Sequence, residues 1–119
     1  MSALTARLRG VVIEHRDFAA VISQHDGPQT LIYADPPYPK DTRSSLKNRN
    51  GNCGHYYRHD MTDADHHRLA KSLYACEGMV VLSGYACDLY DRELYPDWRR
   101  VERAHMADGA LPRIEVLWL

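Results

Sequence analysis

The sequence of 119 residues lacks the marks of several protein classes. Its three cysteines, Cys53, Cys76 and Cys87, form no CxxC pair, which gives no disulfide framework and favours a reducing cytoplasm. No apolar run approaches the ~20 residues of a membrane span, and no secretory leader pattern is present. The net charge of −1 argues against a protein that binds nucleic acid by overall charge alone. We therefore expect one cytoplasmic globular domain spanning residues 1–119.

The apolar pattern predicts strands that alternate with helices. In chain order, the predicted elements are a strand at 10–14, a helix at 17–24, a strand at 31–34, a loop at 39–58, a helix from Thr62 to about Ala75, a strand at 79–85, a short helix at 88–95, and strands at 98–106 and 113–119. Such alternation indicates an α/β fold with a mostly parallel sheet. The last two strands, joined by a tight turn, indicate a C-terminal antiparallel hairpin.

The strand LIYA at 31–34 ends abruptly in Asp35, Pro36, Pro37 and Tyr38. Neither proline has an N–H to donate, so the chain can continue neither a helix nor a strand ladder there. The result is a rigid turn that combines a carboxylate, outward carbonyl groups and an aromatic ring. Ligands of open parallel sheets bind beyond the carboxyl ends of the strands. The turn therefore suits an amino group held by acceptors, on a planar base stacked against a ring.

DPPY after an apolar strand resembles motif IV of the adenine-specific DNA methyltransferases. Nearly the whole chain, from about Arg7 to Leu119, is similar to the phage-type DNA adenine methylase family. The segments that carry this similarity are RLRGVVIEHRDF, TLIYADPPYP with the following Thr42-Arg43, YRHDMT at 57–62, DHHRLA, GMVVLSGY, LYPDW and PRIEVLWL. The resemblance implies transfer of a methyl group from S-adenosylmethionine to the exocyclic amine of a flipped-out adenine in double-stranded DNA.

The resemblance also implies roles for single residues. Asp35 would accept one hydrogen bond from the target amine, the Pro36 carbonyl would accept the second, and Tyr38 would stack on the extruded base. Asp17 and Phe18 match motif III, in which the acid contacts the adenine amine of the cofactor and the next residue borders its ring. His15 stands where the family usually has Asn. Without the resemblance, a second interpretation fits the two residues equally well. Asp17 is then a charge at the N-terminus of a helix, and Phe18 is an aromatic residue of the core.

Five basic residues in and beside the predicted 39–58 loop are candidates for DNA phosphate contacts: Lys40, Arg43, Lys47, Arg49 and Arg58. The alternative is a solvated loop. Cys53, His55, His59, His66 and His67 suggest zinc, but their spacing fits no standard finger. His66 and His67 are also adjacent and point about 100° apart on a helix, which disfavours a shared ion. We therefore predict no metal site. Tyr85, at the end of the neighbouring strand, is a candidate to border the DPPY site.

The family's Phe-x-Gly-x-Gly cofactor fingerprint and the acidic residue that binds the cofactor ribose are absent from this sequence. By the family strand order 3-2-1-4-5-7-6, the chain would supply strands 3 to 7 of a truncated Rossmann-like methyltransferase sheet. Loss of strands 1 and 2 would expose strand edges. We therefore expect residues 10–14 to pair directly with 31–34, or a partner chain to complete the sheet, a homodimer being the simplest version.

Two other functions stay open. The first is a non-catalytic remnant that binds DNA or a full-length methylase, and the second is a structural homo-oligomer without a ligand. The family resemblance suggests a phage or prophage origin.

Overall fold

The computed structural model describes residues 2–39, 60–107 and 111–119. The elements in chain order are α1 (Ala3–Arg7), α2 (Phe18–His25), β1 (Leu31–Ala34), α3 (Asp63–Tyr74), β2 (Met79–Tyr85), a π-helix (Leu89–Leu94), β3 (Arg100–Ala107) and β4 (Leu111–Trp118). In these three ranges no helix is both long and apolar enough to cross a membrane. The predicted 39–58 loop lies almost wholly outside them.

The four strands form one open sheet in the order β1-β2-β4-β3. β1 and β2 are parallel, with Leu31 opposite Met79 and Ala34 opposite Leu82. β4 is antiparallel to both of its neighbours, so β1, β2 and β3 run in one direction and β4 runs in the other. The C-terminal hairpin is confirmed. The expectation of a mostly parallel sheet is wrong, because β4 lies between β2 and β3 and makes two of the three pairings antiparallel.

The two long helices begin where their capping residues predict. Asp17 caps α2, and its carboxylate accepts a hydrogen bond from the Ala19 N–H at 3.1 Å. Thr62 caps α3 in a reciprocal capping box: the Asp65 N–H donates to the Thr62 hydroxyl at 3.2 Å, and the Thr62 N–H donates to the Asp65 carboxylate at 2.9 Å. These local bonds satisfy amide groups that the first helical turn leaves without a partner.

The predicted strand at 10–14 is wrong. Residues 11–15 form no strand, and Val12 and Ile13 are 77% and 93% exposed. Their position follows from contacts farther along the chain. Glu14 lies 2.8 Å from Arg16 and 3.1 Å from His25, at the end of α2, and Arg16 donates to Gln24. These contacts hold the segment on α2, so it does not join β1.

The core lies between the sheet and its helices on one face. Its fully buried side chains are dominated by aromatic rings and by aliphatic residues of β2, β4 and α3: Leu69, Leu73, Leu82, Tyr90, Tyr95, Val116 and Trp118. Tyr90 packs edge-on against Trp118, with ring centroids 5.2 Å apart. Gly84 makes room for this packing, because a Cβ there would lie 3.2 Å from the Trp118 ring. Trp118 is therefore a core packing residue.

Candidate functional site at the end of β1

The candidate site is an open cleft of about 400 Å³ at the carboxyl end of β1. α2, β1 and α3 contribute most of its walls, and the DPPY turn contributes Asp35, Pro36 and Pro37. The lining residues are Phe18, Val21, Ile22, Ile32, Tyr33, Ala34, Asp35, Pro36, Pro37, Met61 and Leu69. Among these described lining residues Asp35 alone carries a charge. The cleft is therefore an apolar slot with one carboxylate, suited to a flat ring that carries a hydrogen-bond donor.

Two sets of residues that lie apart in the sequence meet in this cleft. Phe18, a predicted cofactor contact, starts α2, whereas Asp35, Pro36 and Pro37, the predicted catalytic turn, end β1. α2 begins at the end of the sheet where β1 finishes, and it ends beside Thr30, whose hydroxyl donates to the His25 carbonyl at 2.7 Å. This return path of α2 along β1 is what brings Phe18 to the turn.

Asp17 is engaged by the protein itself. Besides capping α2, its carboxylate accepts a hydrogen bond from Arg68 of α3, with Nη1 and Oδ1 2.8 Å apart. That bond is the main reason that the pKa of Asp17 lies below its ordinary value. The Asp17 side chain is about half exposed and is not among the lining residues of the cleft. The helix-capping interpretation of Asp17 is thus realised in the structure.

Arg68 is a site-adjacent residue that sequence reasoning missed. Its guanidinium carbon lies 4.2 Å from the centroid of the Phe18 ring, in a cation–π arrangement. Its second amino group lies 3.8 Å from Asp65, one turn earlier in α3. The three-residue spacing of Asp65 and Arg68 is typical of an ion pair along one helix. The contact of Arg68 with α2, in contrast, depends on how α2 and α3 pack.

The Tyr38 ring lies against Tyr85, the last residue of β2. Their ring centroids are 4.4 Å apart and their planes are inclined by 49°. β1 and β2 are adjacent and parallel, so the residues that follow them are neighbours at the same end of the sheet. Tyr85 therefore borders the region of the DPPY turn and supports the ring proposed to stack on a base.

Several other candidate residues lie outside the described ranges: Lys40, Arg43, Lys47, Arg49, Arg58, Cys53, His55 and His59. The two described histidines of the zinc alternative have separate surroundings. His66 is fully buried, with Nδ1 2.9 Å from the Tyr90 hydroxyl, whereas His67 lies 3.1 Å from Glu93. Within the residues that the structure describes, no group of three or more His, Cys, Asp or Glu side chains is placed to hold a metal.

Comparisons of the chain with protein-family models, with curated proteins and with solved structures each found no match.

Proposed function

We propose that this chain is the C-terminal part of an adenine-specific DNA methyltransferase domain, in which the DPPY turn holds the target adenine. The observation that carries the proposal is that Phe18 and the turn residues Asp35, Pro36 and Pro37 line one apolar cleft. A motif III residue and a motif IV turn would have to meet if both served one methyl transfer. A chance occurrence of DPPY gives no reason for them to meet.

The strand order offers independent support. In the family order 3-2-1-4-5-7-6, the last four strands follow the spatial order 4-5-7-6. The sheet here has the order β1-β2-β4-β3, with β4 reversed. Taking β1 to β4 as family strands 4 to 7 gives the same arrangement, and it puts DPPY after strand 4, where motif IV belongs.

The chain's own residues divide the work as follows. The exposed Asp35 carboxylate accepts one N–H of the adenine amine, and the Pro36 carbonyl accepts the other. With both protons held, the nitrogen lone pair points away from the turn. Tyr38, backed by Tyr85, stacks on the extruded base and offsets part of the few kcal/mol that base extrusion costs. Asp35 or solvent takes the proton that the amine loses afterwards.

The fit of S-adenosylmethionine is partial. Phe18 and the aliphatic cleft walls match the flat, weakly polar adenine end of the cofactor. The glycine-rich turn that would contact the rest of the cofactor is absent from the sequence, and Asp17 already binds Arg68. When bound, the cofactor would supply an electrophilic methyl group. The residues that would hold the target adenine are therefore more completely present in this chain than those that would hold the methyl donor, S-adenosylmethionine.

The test is calorimetric titration of S-adenosylmethionine, followed by a methyl-transfer assay on adenine-containing duplex DNA. A working site should bind the cofactor with a Kd on the order of 1 µM, about −8 kcal/mol. Asp35→Ala should abolish transfer and leave cofactor affinity unchanged, because Asp35 is assigned to the acceptor amine. Asp88→Ala, which removes a carboxylate that is 84% exposed and outside the cleft, is the matched control and should keep full activity.

The absence of heat at millimolar cofactor would remove the enzyme function for this chain. The second candidate would then apply, a non-catalytic remnant that binds adenine-containing DNA. The ion pair between Asp17 and Arg68 favours it, because that pair already uses the carboxylate assigned to the cofactor. Such a remnant should bind duplex DNA without cofactor, and Tyr38→Ala should weaken that binding.

A further inference from the structure

In the part of the chain that the structure describes, neither the outer edge of β1 nor the exposed segment at 10–14 has a strand partner. In the described residues, no strand lies on the outer side of β1. The Thr30 carbonyl accepts from the Met79 N–H, on the β2 side, at 2.9 Å. Because backbone groups alternate sides along a strand, those of Leu31 and Tyr33 point to the outer side. β1 contains no proline, charge or bulge to protect this edge.

The segment at 10–14, hereafter the arm, has the properties of the missing strand. It begins at Gly10, whose φ of +85° lies in the left-handed region that glycine favours, so the chain turns sharply after α1. Val11, Val12 and Ile13 are β-branched, lie outside any helix or strand, and are mostly exposed. Three consecutive exposed β-branched side chains outside any helix or strand favour pairing with another strand.

The arm does not fill its own chain's edge. Glu14 and Arg16 hold the base of the arm on Gln24 and His25, at the end of α2. α2 belongs to the helical layer, so the arm leaves from that layer and not from the plane of the strands. Pairing with its own β1 would break these contacts, whereas pairing with the edge of another copy keeps them.

We propose that two copies of this chain form a dimer in which the arm of each pairs antiparallel with the β1 edge of the other. Within its described residues each chain has one apolar arm that joins no sheet and one sheet edge that carries no strand, so a two-fold axis satisfies both at once. The charges select the direction. Antiparallel pairing brings Arg9 to the Asp35 end of β1 and puts Glu14 at the Thr30 end, whereas parallel pairing would bring Glu14 to Asp35. This inference does not depend on the proposed function.

The mass in solution tests the dimer. Sedimentation equilibrium at about 50 µM should give twice the 13.7 kDa of one chain. Ile13→Asp on the arm and Leu31→Lys on the edge should each weaken dimerisation by about a hundredfold, because each places a charge in a buried strand pair. Val101→Lys, on β3 at the opposite edge of the sheet, is the matched control and should leave the dimer unchanged; Val101 is 41% exposed.

Mixing the variants separates this arrangement from others. An equimolar mixture of Ile13→Asp and Leu31→Lys chains retains one intact arm on one intact edge, and its other contact pairs opposite charges, so dimer should reappear. A wild-type monomer at about 50 µM, or a mixture that stays monomeric, would overturn the proposal. If Val101→Lys is the only one of the three single variants that loses the dimer, the interface lies on the β3 edge and the proposal is wrong. Circular dichroism checks that each variant is folded, and Val12→Asp replaces Ile13→Asp if the latter is not.

Discussion

At the scale of single residues, the contact between Arg68, Asp17 and Phe18 decides what the start of α2 can bind. The guanidinium group is flat, donates to the Asp17 carboxylate and lies over the Phe18 ring. The resemblance assigns those two contacts to the adenine of the cofactor. A ligand that uses Asp17 would therefore have to displace Arg68 or share the carboxylate with it.

Replacing Arg68 with Ala should raise the pKa of Asp17 towards its ordinary value, because the Arg68 hydrogen bond is the largest cause of its lowering. A carboxyl group with a lowered pKa in the folded state stabilises the protein above its unfolded pKa, near 4, and that contribution is lost as pH falls through the folded pKa. NMR titration of the Asp17 carboxyl measures the change. Arg92→Ala, at an exposed arginine remote from Asp17, is the control, and an unchanged Asp17 pKa in Arg68→Ala would contradict the assignment.

At the scale of elements, caps and loop contacts place the helices that line the cleft. The capping box fixes the start of α3, from which Leu69 reaches the cleft wall and Arg68 reaches α2. Asp26, the residue after α2, accepts hydrogen bonds from the Glu77 and Gly78 N–H groups just before β2. The end of α2 is thereby bound to the start of β2, which keeps the helix along the strands.

Thr62→Ala should lower the free energy of unfolding by about 1 kcal/mol, because it removes the acceptor for the Asp65 N–H at the start of a helix that is part of the core. Urea denaturation measures this. Ser2→Ala is the matched control: Ser2 caps α1 in the same way, through the Thr5 N–H, but α1 contains no buried residue and should make little difference to global unfolding. Equal losses in the two variants would refute the role of the α3 cap.

At the scale of the whole molecule, three carboxylates hold the helices in place. Asp17 links α2 to α3, Asp26 links α2 to β2, and Asp65 closes the α3 cap. The pKa of each is lowered, chiefly by the Arg68 hydrogen bond for Asp17, by the Glu77 N–H for Asp26 and by the Thr62 N–H for Asp65. Protonation weakens all three links together.

Acid should therefore destabilise the molecule below about pH 4, where these groups begin to protonate in the unfolded chain. The urea midpoint should be constant near neutral pH and fall as pH drops through the folded pKa values. Asp26→Asn should flatten this dependence, since it removes one of the titrating links, whereas Asp88→Asn at an exposed position should not. A urea midpoint that does not change down to about pH 2 would rule out these three links as contributors to stability.

The sequence by itself determined the features that depend on neighbours a few residues apart. The caps at Asp17 and Thr62, the strands at 31–34 and 79–85, the end of the first strand before Asp35 and the C-terminal hairpin were all predictable, because hydrogen bonds and steric limits within a few residues set them. Only the tertiary structure decided which segments pair. The apolar arm at 10–14 has the composition of a strand, but its contacts with α2 keep it out of the sheet, and β4 enters between β2 and β3.

The features of the candidate site also fall into those that the sequence predicts and those that only the tertiary structure brings together. The DPPY turn was visible in the sequence because its prolines act locally. The meeting of Phe18 with that turn, and the engagement of Asp17 by Arg68, depend on how α2 packs against β1 and α3. Residues 51 positions apart form the latter contact, and no local pattern encodes it. Strand pairing and helix packing depend on the free energy of contacts between segments far apart in the chain. Local sequence patterns therefore predicted the separate elements that line the cleft, and only the tertiary structure showed that they lie together.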